Sequence, residues 1–296
     1  MTKEAIFSVQ NPQMLLPFLL ESMPNKGRNK VKSMLTRGQV MVDGRIVTRH
    51  DHALRPNQTV KILATVGTPG EDMHGIRILF EDEHLIVVDK PPGLLSIATD
   101  QERDRTAYHI ITNHVRESAK GGRIFIVHRL DRETSGVMMF AKSESVQQSL
   151  QETWHDSVLE RAYVVVVEGT LSKAEGTIET WLKESSTRTM FVSRPGDGVK
   201  AVTNYKVLST SGEYSLLEVH LETGRKNQIR VHMQSIGHPV IGDRRYGSKK
   251  NPIGRLGLHA RLLSFRHPVT QELLTFETAI PSSFRKLFAG ESQSRH

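Results

Sequence analysis

The pattern of apolar and polar positions divides the chain into two parts. In the first, residues 13–63, MLLPFLLESM (14–23) has the apolar spacing of a helix. We expect Asn29 to cap a second helix that has one apolar face and ends at Gly38. After it, QVMVDGRIVT alternates around Asp43–Gly44, a pair typical of β-hairpin turns. The first part is therefore predicted to be a small α/β domain.

Residues 64–76, rich in glycine, proline and acids, are predicted to form a linker. From residue 77 to 290 the pattern changes to many strands and few helices. The predicted strands are IRILF, LIVVD, RIFIV, VMMFA, AYVVVV, TIETWL, AVTNYKVL, SLLEVHL, RLLSF and LLTFE, and the predicted helices span 106–117, 143–156 and 228–236. Hairpin-like spacing with scattered helices predicts an α+β domain built on a mixed, largely antiparallel sheet.

Composition limits the class of protein. With 296 residues, 37% of them hydrophobic, the chain is long enough for a large and a small packed domain. It contains no apolar run of about 18 residues, and its start lacks the positive-then-apolar order of a secretory signal. We therefore expect a cytoplasmic protein with no membrane partner. The absence of cysteine excludes disulfides, thiolate nucleophiles and cysteine zinc sites.

Positive charge is concentrated in two separate tracts within a formal net charge of +8. Residues 26–37 hold five cations and no acid, and residues 222–266 hold ten Lys or Arg against two acids. Two basic tracts are the pattern expected of a protein that follows a phosphate backbone. The candidate phosphate contacts of the first tract, for which a solvated helix surface is the alternative, are Arg28, Lys30, Lys32 and Arg37.

A cluster of charge separates two apolar segments in FIVHRLDRETSGVMMFAKS, residues 125–143. Charged groups beside apolar surface are costly unless partners or a ligand compensate for their lost hydration. Asp131 follows Arg129 and precedes a Thr-Ser-Gly turn, where backbone donors and a neighbouring cation can keep a carboxylate ionised. The alternative is an ion-paired turn aspartate with no further role. Upstream, Lys90–Gly93 (KPPG) is interpreted as a stiff structural turn.

A third stretch, LEVHLETGRKNQIRVHMQSIGHPVIGDRRYG, leads from a strand into a short basic helix. Arg225 and Arg230 are five residues apart, about 500° around a helix axis, so they need different partners. His232 and His238 fall on different faces, which makes a zinc site improbable. Phosphate-loop, GxSxG and HExxH patterns are all missing. The motifs therefore predict neither a metal nor a cofactor.

Four segments in this order, FEDEHLIVVDKPPGLLS, HRLDRETSG, RAYVVVVEG and TGRKNQIRVHMQSIGHPVIGDRRYG, resemble the RluA-type RNA pseudouridine synthases. The resemblance extends over residues 77–288 and implies the pseudouridine synthase fold. Residues 13–63 are similar to the small RNA-binding domain named after ribosomal protein S-four. The resemblance implies isomerisation of uridine in RNA to its C-glycoside, by breaking the N1–C1′ bond, rotating the uracil and rejoining it through C5.

The same resemblance implies roles for individual residues. Asp131 matches the essential aspartate, although the sequence leaves open whether it attacks the sugar, adds to the base or removes a sugar proton. Tyr163 matches the tyrosine that packs against the target base, and Arg230 the basic residue that pairs with the aspartate. Arg129 would fill the space left by the flipped nucleotide or bind its phosphate. Independently of the resemblance, Arg225 of the second basic tract is predicted to contact RNA. Asn227 stands where the family usually has histidine, so we expect it to keep a structural hydrogen bond without titrating.

The expected partner is RNA, with ribosomal RNA of the large subunit ahead of transfer RNA, and the enzyme is expected to act as a monomer. Two alternatives come from other classes of protein. One is a non-catalytic RNA-binding or ribosome-assembly factor that retains the fold. The other is a metal-dependent nuclease, which the cations around Asp131 and Glu133 disfavour because Mg²⁺ sites use clusters of carboxylates.

Overall fold

The computed structural model describes residues 5–24, 26–36, 40–43, 45–47, 50–62, 75–100, 102–118 and 121–289. Among its described residues, the first part of the chain contains six short strands and two helices. They are β1 (Ala5–Ser8), β2 (Gln13–Met14), α1 (Leu15–Ser22), α2 (Arg28–Thr36), β3 (Val40–Val42), β4 (Arg45–Ile46), β5 (Ala53–Leu54) and β6 (Thr59–Ile62). Strands β1, β6, β3 and β4 form one sheet in that order, and β2 pairs with β5.

Both predicted helices and the hairpin are present. The apolar face of α2 is buried in one cluster with α1 and the sheet, as Val31, Met34 and Leu35 show. The predicted cap is wrong, because α2 begins at Arg28 and Asn29 lies inside it. The sheet also includes β1, which precedes residue 13 and pairs with β6 through all four of its residues. This part is a small α/β unit with its own apolar core.

The second part of the chain carries the larger sheet. Its elements are β7 (Arg77–Glu81), β8 (Leu85–Lys90), α3 (Ala107–Ser118), β9 (Phe125–Ile126), β10 (Ser135–Ala141), α4 (Glu144–Glu152), α5 (Trp154–Ser157), β11 (Val158–Glu168), β12 (Glu175–Glu184), β13 (Met190–Ser193), β14 (Val199–Thr210), β15 (Tyr214–Leu221), α6 (Gln228–Ser235), β16 (Leu258–Arg266), β17 (Leu273–Glu277) and α7 (Ser282–Lys286). Within the described residues no helix is both long and apolar enough to cross a membrane.

Eleven strands of the described residues form one sheet, in the order β13-β12-β14-β15-β11-β16-β10-β8-β7, with β17 beside β16 and β9 beside β10. Neighbouring strands are antiparallel except β10 and β16, which run parallel. The predicted mixed, largely antiparallel α+β fold is confirmed. All seven residues of β10 are buried, because apolar layers cover the sheet on both faces.

The junction of β10 and β16 depends on a glycine. Gly136 has φ +114°, and a Cβ there would lie 2.0 Å from the carbonyl oxygen of Ala260. Only glycine allows the two backbones to approach this closely. The start of β10 at Ser135 and Gly136 therefore brings the preceding loop, which carries Asp131, against the centre of the sheet.

Two predicted elements are shorter than expected, for local reasons. RIFIV is reduced to β9, because the side-chain amides of Gln147 and Gln151 donate to the carbonyl oxygens of Ile126 and Val127. The helix predicted over 143–156 is interrupted at Thr153, whose hydroxyl donates to the Ser149 carbonyl oxygen. Strand β13 was not predicted at all.

Candidate active site

Asp131 lies in the turn between β9 and β10, called here the Asp131 turn (residues 128–134). Its own carbonyl oxygen accepts from the Thr134 N–H at 3.1 Å, which closes the turn. The Ser96 hydroxyl donates to the Leu130 carbonyl oxygen at 2.6 Å and accepts from the Leu130 N–H at 3.1 Å. The turn is thus held from the loop that follows β8, so the position of the Asp131 carboxylate is fixed by backbone contacts on either side of it.

Lys90, at the end of β8, is the second support of the Asp131 turn. Its side chain is fully buried, and Nζ donates to the carbonyl oxygens of Pro91, Leu94 and Arg132 at 3.0, 2.7 and 3.1 Å. Burial lowers the pKa of Lys90 to about 7. The KPPG segment is a structural turn, as predicted, and its lysine also ties that turn to the residue after Asp131.

Arg230, on α6, joins two carboxylates. Its Nε and Nη2 donate to the two oxygens of Asp243 at 2.6 and 2.9 Å, and its Nη1 donates to Oδ2 of Asp131 at 3.1 Å. The Asp243 side chain is 2% exposed and the Asp131 side chain 29%. Burial alone would lower the pKa of Arg230, but the hydrogen bonds and charges of Asp243, and then of Asp131, raise it. Asp243 therefore anchors the guanidinium, and Asp131 remains within reach of a ligand.

Two further side chains support the guanidinium of Arg230. The ring of Tyr246 lies 4.8 Å from its centre, a cation–π contact. Asn227 accepts from Nη1 of Arg230 at 3.2 Å and donates to the Tyr246 hydroxyl at 2.9 Å. The structural hydrogen bond expected of Asn227 is confirmed.

Tyr163 reaches the same place from β11. The pairing of β11 with β16 shifts register between Ala162 and Tyr163, where Arg261 is the extra residue on β16. Bulges of this kind redirect side chains. The half-buried ring of Tyr163 packs against two apolar clusters, and burial raises the pKa of its hydroxyl. At neutral pH the group is an uncharged phenol.

A pocket of about 80 Å³ is formed where these elements meet. Asp131, Tyr163 and Arg230 line it together, so the three predicted catalytic residues converge from a loop, a strand and a helix separated in sequence. Arg129 and Arg225, both exposed, lie at the same pocket. Arg225 precedes α6 and donates through Nε to the Lys200 carbonyl oxygen at 3.2 Å. Its partner thus differs from that of Arg230, as expected.

Of the predicted phosphate contacts of the first basic tract, Arg28, Lys30 and Lys32 belong to α2, away from these elements in sequence. Arg28 and Lys32 are exposed. Lys30 belongs to the same helix, but its side chain lies outside the described residues, as does Arg37. The histidine at 232, considered for a metal, is buried between the hydroxyls of Thr180 and Thr203, and burial lowers its pKa to about 4.

Three residues of this site were not predicted from the sequence: Asp243, Lys90 and Ser96. Asp243 could have been found, since it and Glu222 are the two acids in a tract with ten cations. An acid that is one of only two among ten cations indicates a specific ion pair. Nothing in the sequence indicates that Ser96 contacts Leu130, because the contact joins two loops 34 residues apart.

Replacing Lys90 with methionine is expected to lower the unfolding free energy by about 2–4 kcal/mol, because one buried and two partly buried carbonyl oxygens lose their donor. We also expect a fall in the rate of the chemical step, since the Asp131 turn loses one support. Chemical denaturation and single-turnover kinetics measure the two effects. Lys173→Met, at an exposed position, is the control. Equal stability of both variants would contradict this role of Lys90.

Comparison with known proteins identifies the family. The RNA pseudouridylate synthase family matches residues 84–235, just over half of the chain. An RNA pseudouridine synthase of Aquifex aeolicus is 34% identical over 290 residues, 92% of each chain. "Ribosomal large subunit pseudouridine synthase D" of Vibrio cholerae is 32% identical over 272 residues, 86% of this chain and 83% of the relative.

A solved structure agrees on the fold. The human "RNA Pseudouridylate Synthase Domain Containing 4" superposes with a TM-score of 0.59 at 24% identity, over 71% of this chain and 92% of that chain. The relatives and the matching family agree with the motif resemblance found in the sequence. The chain therefore belongs to the RluA-type RNA pseudouridine synthases, enzymes that isomerise uridine in RNA.

Proposed function

We propose that this enzyme converts a uridine of large-subunit ribosomal RNA to pseudouridine, with Asp131 as the catalytic residue. The observation that carries the proposal is the convergence of Asp131, Tyr163 and Arg230 on one pocket. Oδ2 of Asp131 accepts from Arg230, which leaves the other carboxylate oxygen to face the reacting nucleotide. The side chain is held by an ion pair and by a closed turn, so it is aimed before the RNA binds.

Tyr163 would pack against the uracil while the N1–C1′ bond breaks, the ring rotates and C5 bonds to C1′. The reaction is an isomerisation. C5 loses a proton when it bonds to C1′, N1 takes up a proton, and all other atoms of the base and sugar remain in the product. A half-buried aromatic wall suits a base that must stay bound but turn, because stacking holds a ring without fixing its rotation.

A uridine within a helix cannot reach a pocket lined by side chains of three different elements. The enzyme must therefore extrude the nucleotide, which costs a few kcal/mol and favours loops and weak pairs. Arg129 and Arg225, at the mouth of the pocket, are placed to bind the displaced backbone or to fill the vacated space.

The choice of ribosomal RNA rests on relatives named for the large ribosomal subunit, such as the Vibrio cholerae protein. Transfer RNA is the second candidate substrate. Carbodiimide treatment followed by primer extension, in a strain that lacks the gene, tests the choice. We expect one or more pseudouridine stops to disappear from large-subunit RNA and to return with the wild-type gene. Loss of stops from transfer RNA alone would contradict it.

The cations of α2 are proposed to bind the RNA backbone outside the catalytic pocket. Replacing both Arg28 and Lys32 with glutamine is expected to weaken binding and to reduce the slope of log K against log salt by about one to two. The rate at saturating RNA should be unchanged, because the residues of the catalytic pocket remain intact. Lys173→Gln with Arg285→Gln, two exposed cations outside both basic tracts, is the matched control. An unaltered salt slope in the α2 variant would contradict this role.

That the first part is an S-four-like domain, and that the enzyme acts as a cytoplasmic monomer, remain predictions. The salt-dependence test above addresses RNA binding by the first part of the chain. Sedimentation of the purified enzyme measures its oligomeric state.

A further inference from the structure

A second cavity, of about 480 Å³, opens beside the catalytic pocket. Arg129, Tyr163, Leu221 and Arg225 line both, so the two spaces are contiguous. The volume falls within the roughly 300–1,000 Å³ that is typical of small-ligand sites. The catalytic pocket, of about 80 Å³, is assigned to the reacting part of the target uridine, and this larger adjoining space has no role in that assignment.

The walls of the second cavity are cationic. Arg129, Arg161 and Arg225 line it, and none of its lining residues is acidic. Among the ion pairs formed within the described part of the chain, none includes these three arginines. Arg161 is half-buried, and burial lowers its pKa. A partly desolvated guanidinium without a carboxylate partner is suited to contact a nucleotide, whose phosphate or base compensates for its lost hydration.

Arg161 is also held in position. Its Nη2 donates to the carbonyl oxygens of Leu221 and Glu222 at 3.2 and 3.4 Å, and its guanidinium lies 5.8 Å from the centre of the Trp154 ring. Nucleobases released from a helix stack on aromatic rings and on guanidinium planes. Trp154 and Arg161 together offer both surfaces at one wall of the cavity.

His128 adds a hydrogen-bond donor to the same wall. Its ring lies 5.3 Å from that of Trp154, and its Nε2 accepts from the Met139 N–H at 3.2 Å. Burial, and then the charge of Arg161, lower the pKa of His128 to about 4, so the ring is neutral near pH 7. The neutral tautomer that accepts at Nε2 carries its proton on Nδ1.

We propose that this cavity holds a second nucleotide of the RNA, a neighbour of the target uridine, with its base packed against Trp154 and Arg161 and its phosphate bound by Arg129 and Arg225. The inference rests on the proposed function, because it assumes that the target occupies the adjoining pocket. Extruding one nucleotide also disturbs the stacking of its neighbours. A base bound at Trp154 recovers part of that stacking energy and positions the target, so Trp154 and Arg161 are positioning residues.

Tryptophan fluorescence tests the contact directly, because Trp154 and Trp181 are the two tryptophans of the chain. Trp181 is on β12 and lines neither cavity. Trp181→Phe leaves Trp154 as the reporter, and Trp154→Phe leaves Trp181. We expect decauridylate to quench the first protein with a saturable curve and to leave the second unchanged. A decamer of abasic ribose phosphates should bind the first protein without quenching it.

Equal quenching by the two decamers, or quenching confined to the protein that retains Trp181, would overturn the proposal. The readout needs no turnover, so it distinguishes failure of this inference from failure of the proposed function. Asp131→Asn combined with Trp181→Phe should be quenched as strongly as Trp181→Phe alone.

Steady-state kinetics on the RNA identified by the mapping experiment give the second test. Trp154→Ala is expected to raise KM about tenfold with kcat retained, and Trp154→Phe to restore most of the loss. Arg161→Met should raise KM similarly, whereas Arg285→Met, at an exposed position on α7 outside both basic tracts, should not. An RNA with an abasic site at the bound neighbour should have the same KM with the wild-type enzyme and with Trp154→Ala. If no abasic position makes the two KM values equal, the assignment is wrong.

Discussion

Replacing Asp131 with asparagine is expected to reduce the single-turnover rate of pseudouridine formation by about a thousandfold or more, as removal of an essential acting group does in other enzymes. Asparagine has the same shape and can still accept from Arg230 through its amide oxygen, so the turn and the pocket should keep their geometry. RNA affinity should therefore stay within about twofold of wild type. Nucleoside analysis by mass spectrometry and equilibrium filter binding measure the two quantities.

Asp156→Asn is the matched control, an exposed aspartate outside the pocket, and should leave both quantities unchanged. Substantial product from Asp131→Asn would contradict the assignment of the catalytic residue. If the wild-type protein itself binds RNA but forms no product on any RNA tested, the non-catalytic binding factor would be the better account of this chain.

Replacing Asp243 with asparagine is expected to have the largest effect on stability. Asp243 makes two hydrogen bonds to Arg230 and is almost completely buried, so its loss leaves a buried guanidinium without its main counter-charge. Breaking such a pair costs about 3–5 kcal/mol, which corresponds to a fall in Tm of roughly 6–15 °C for a chain of this size. Activity should also fall, because the Arg230 guanidinium is no longer held toward Asp131.

The contrast with Asp131→Asn makes this prediction specific, because both aspartates pair with the same arginine. The Asp131 side chain is more exposed and makes one bond, so its replacement should change Tm little. Asp197→Asn, which breaks an exposed pair with Lys183, should have almost no effect. A Tm for Asp243→Asn equal to that of Asp131→Asn would show that the anchor has been assigned to the wrong carboxylate.

The larger strands were predictable because their apolar runs are long and end at turn residues. Strand β10 is an example, since every residue of VMMFA is buried. Strand β13 escaped prediction because Phe191 and Val192, on an edge strand, are exposed and show no alternation. The Thr153 break in the predicted helix depends on a hydroxyl that donates to the Ser149 carbonyl oxygen one turn earlier, which apolar periodicity does not record.

In the candidate site, too, local motifs were predictable and long-range contacts were not. Asp131, Tyr163 and Arg230 were identified because each belongs to a motif with a recognisable order of residues. Their convergence depends on the parallel contact of β10 with β16 and on the bulge opposite Tyr163, which are long-range features. The contact of Ser96 with Leu130 and the second cavity beside Trp154 likewise arise from packing between distant segments. Sequence motifs indicated the candidate catalytic residues, and only the fold reveals what holds them.

The most direct test of the central claim is a crystal structure of Asp131→Asn bound to the RNA identified by the mapping experiment, because this variant should bind the unreacted uridine without converting it. We expect an extruded uridine whose base stacks on Tyr163. The nearest heavy atoms of its sugar and of the residue 131 side chain should be within about 4 Å, near van der Waals contact. A target uridine that remains stacked in the RNA, with residue 131 and Tyr163 contacting no base, would contradict the central claim.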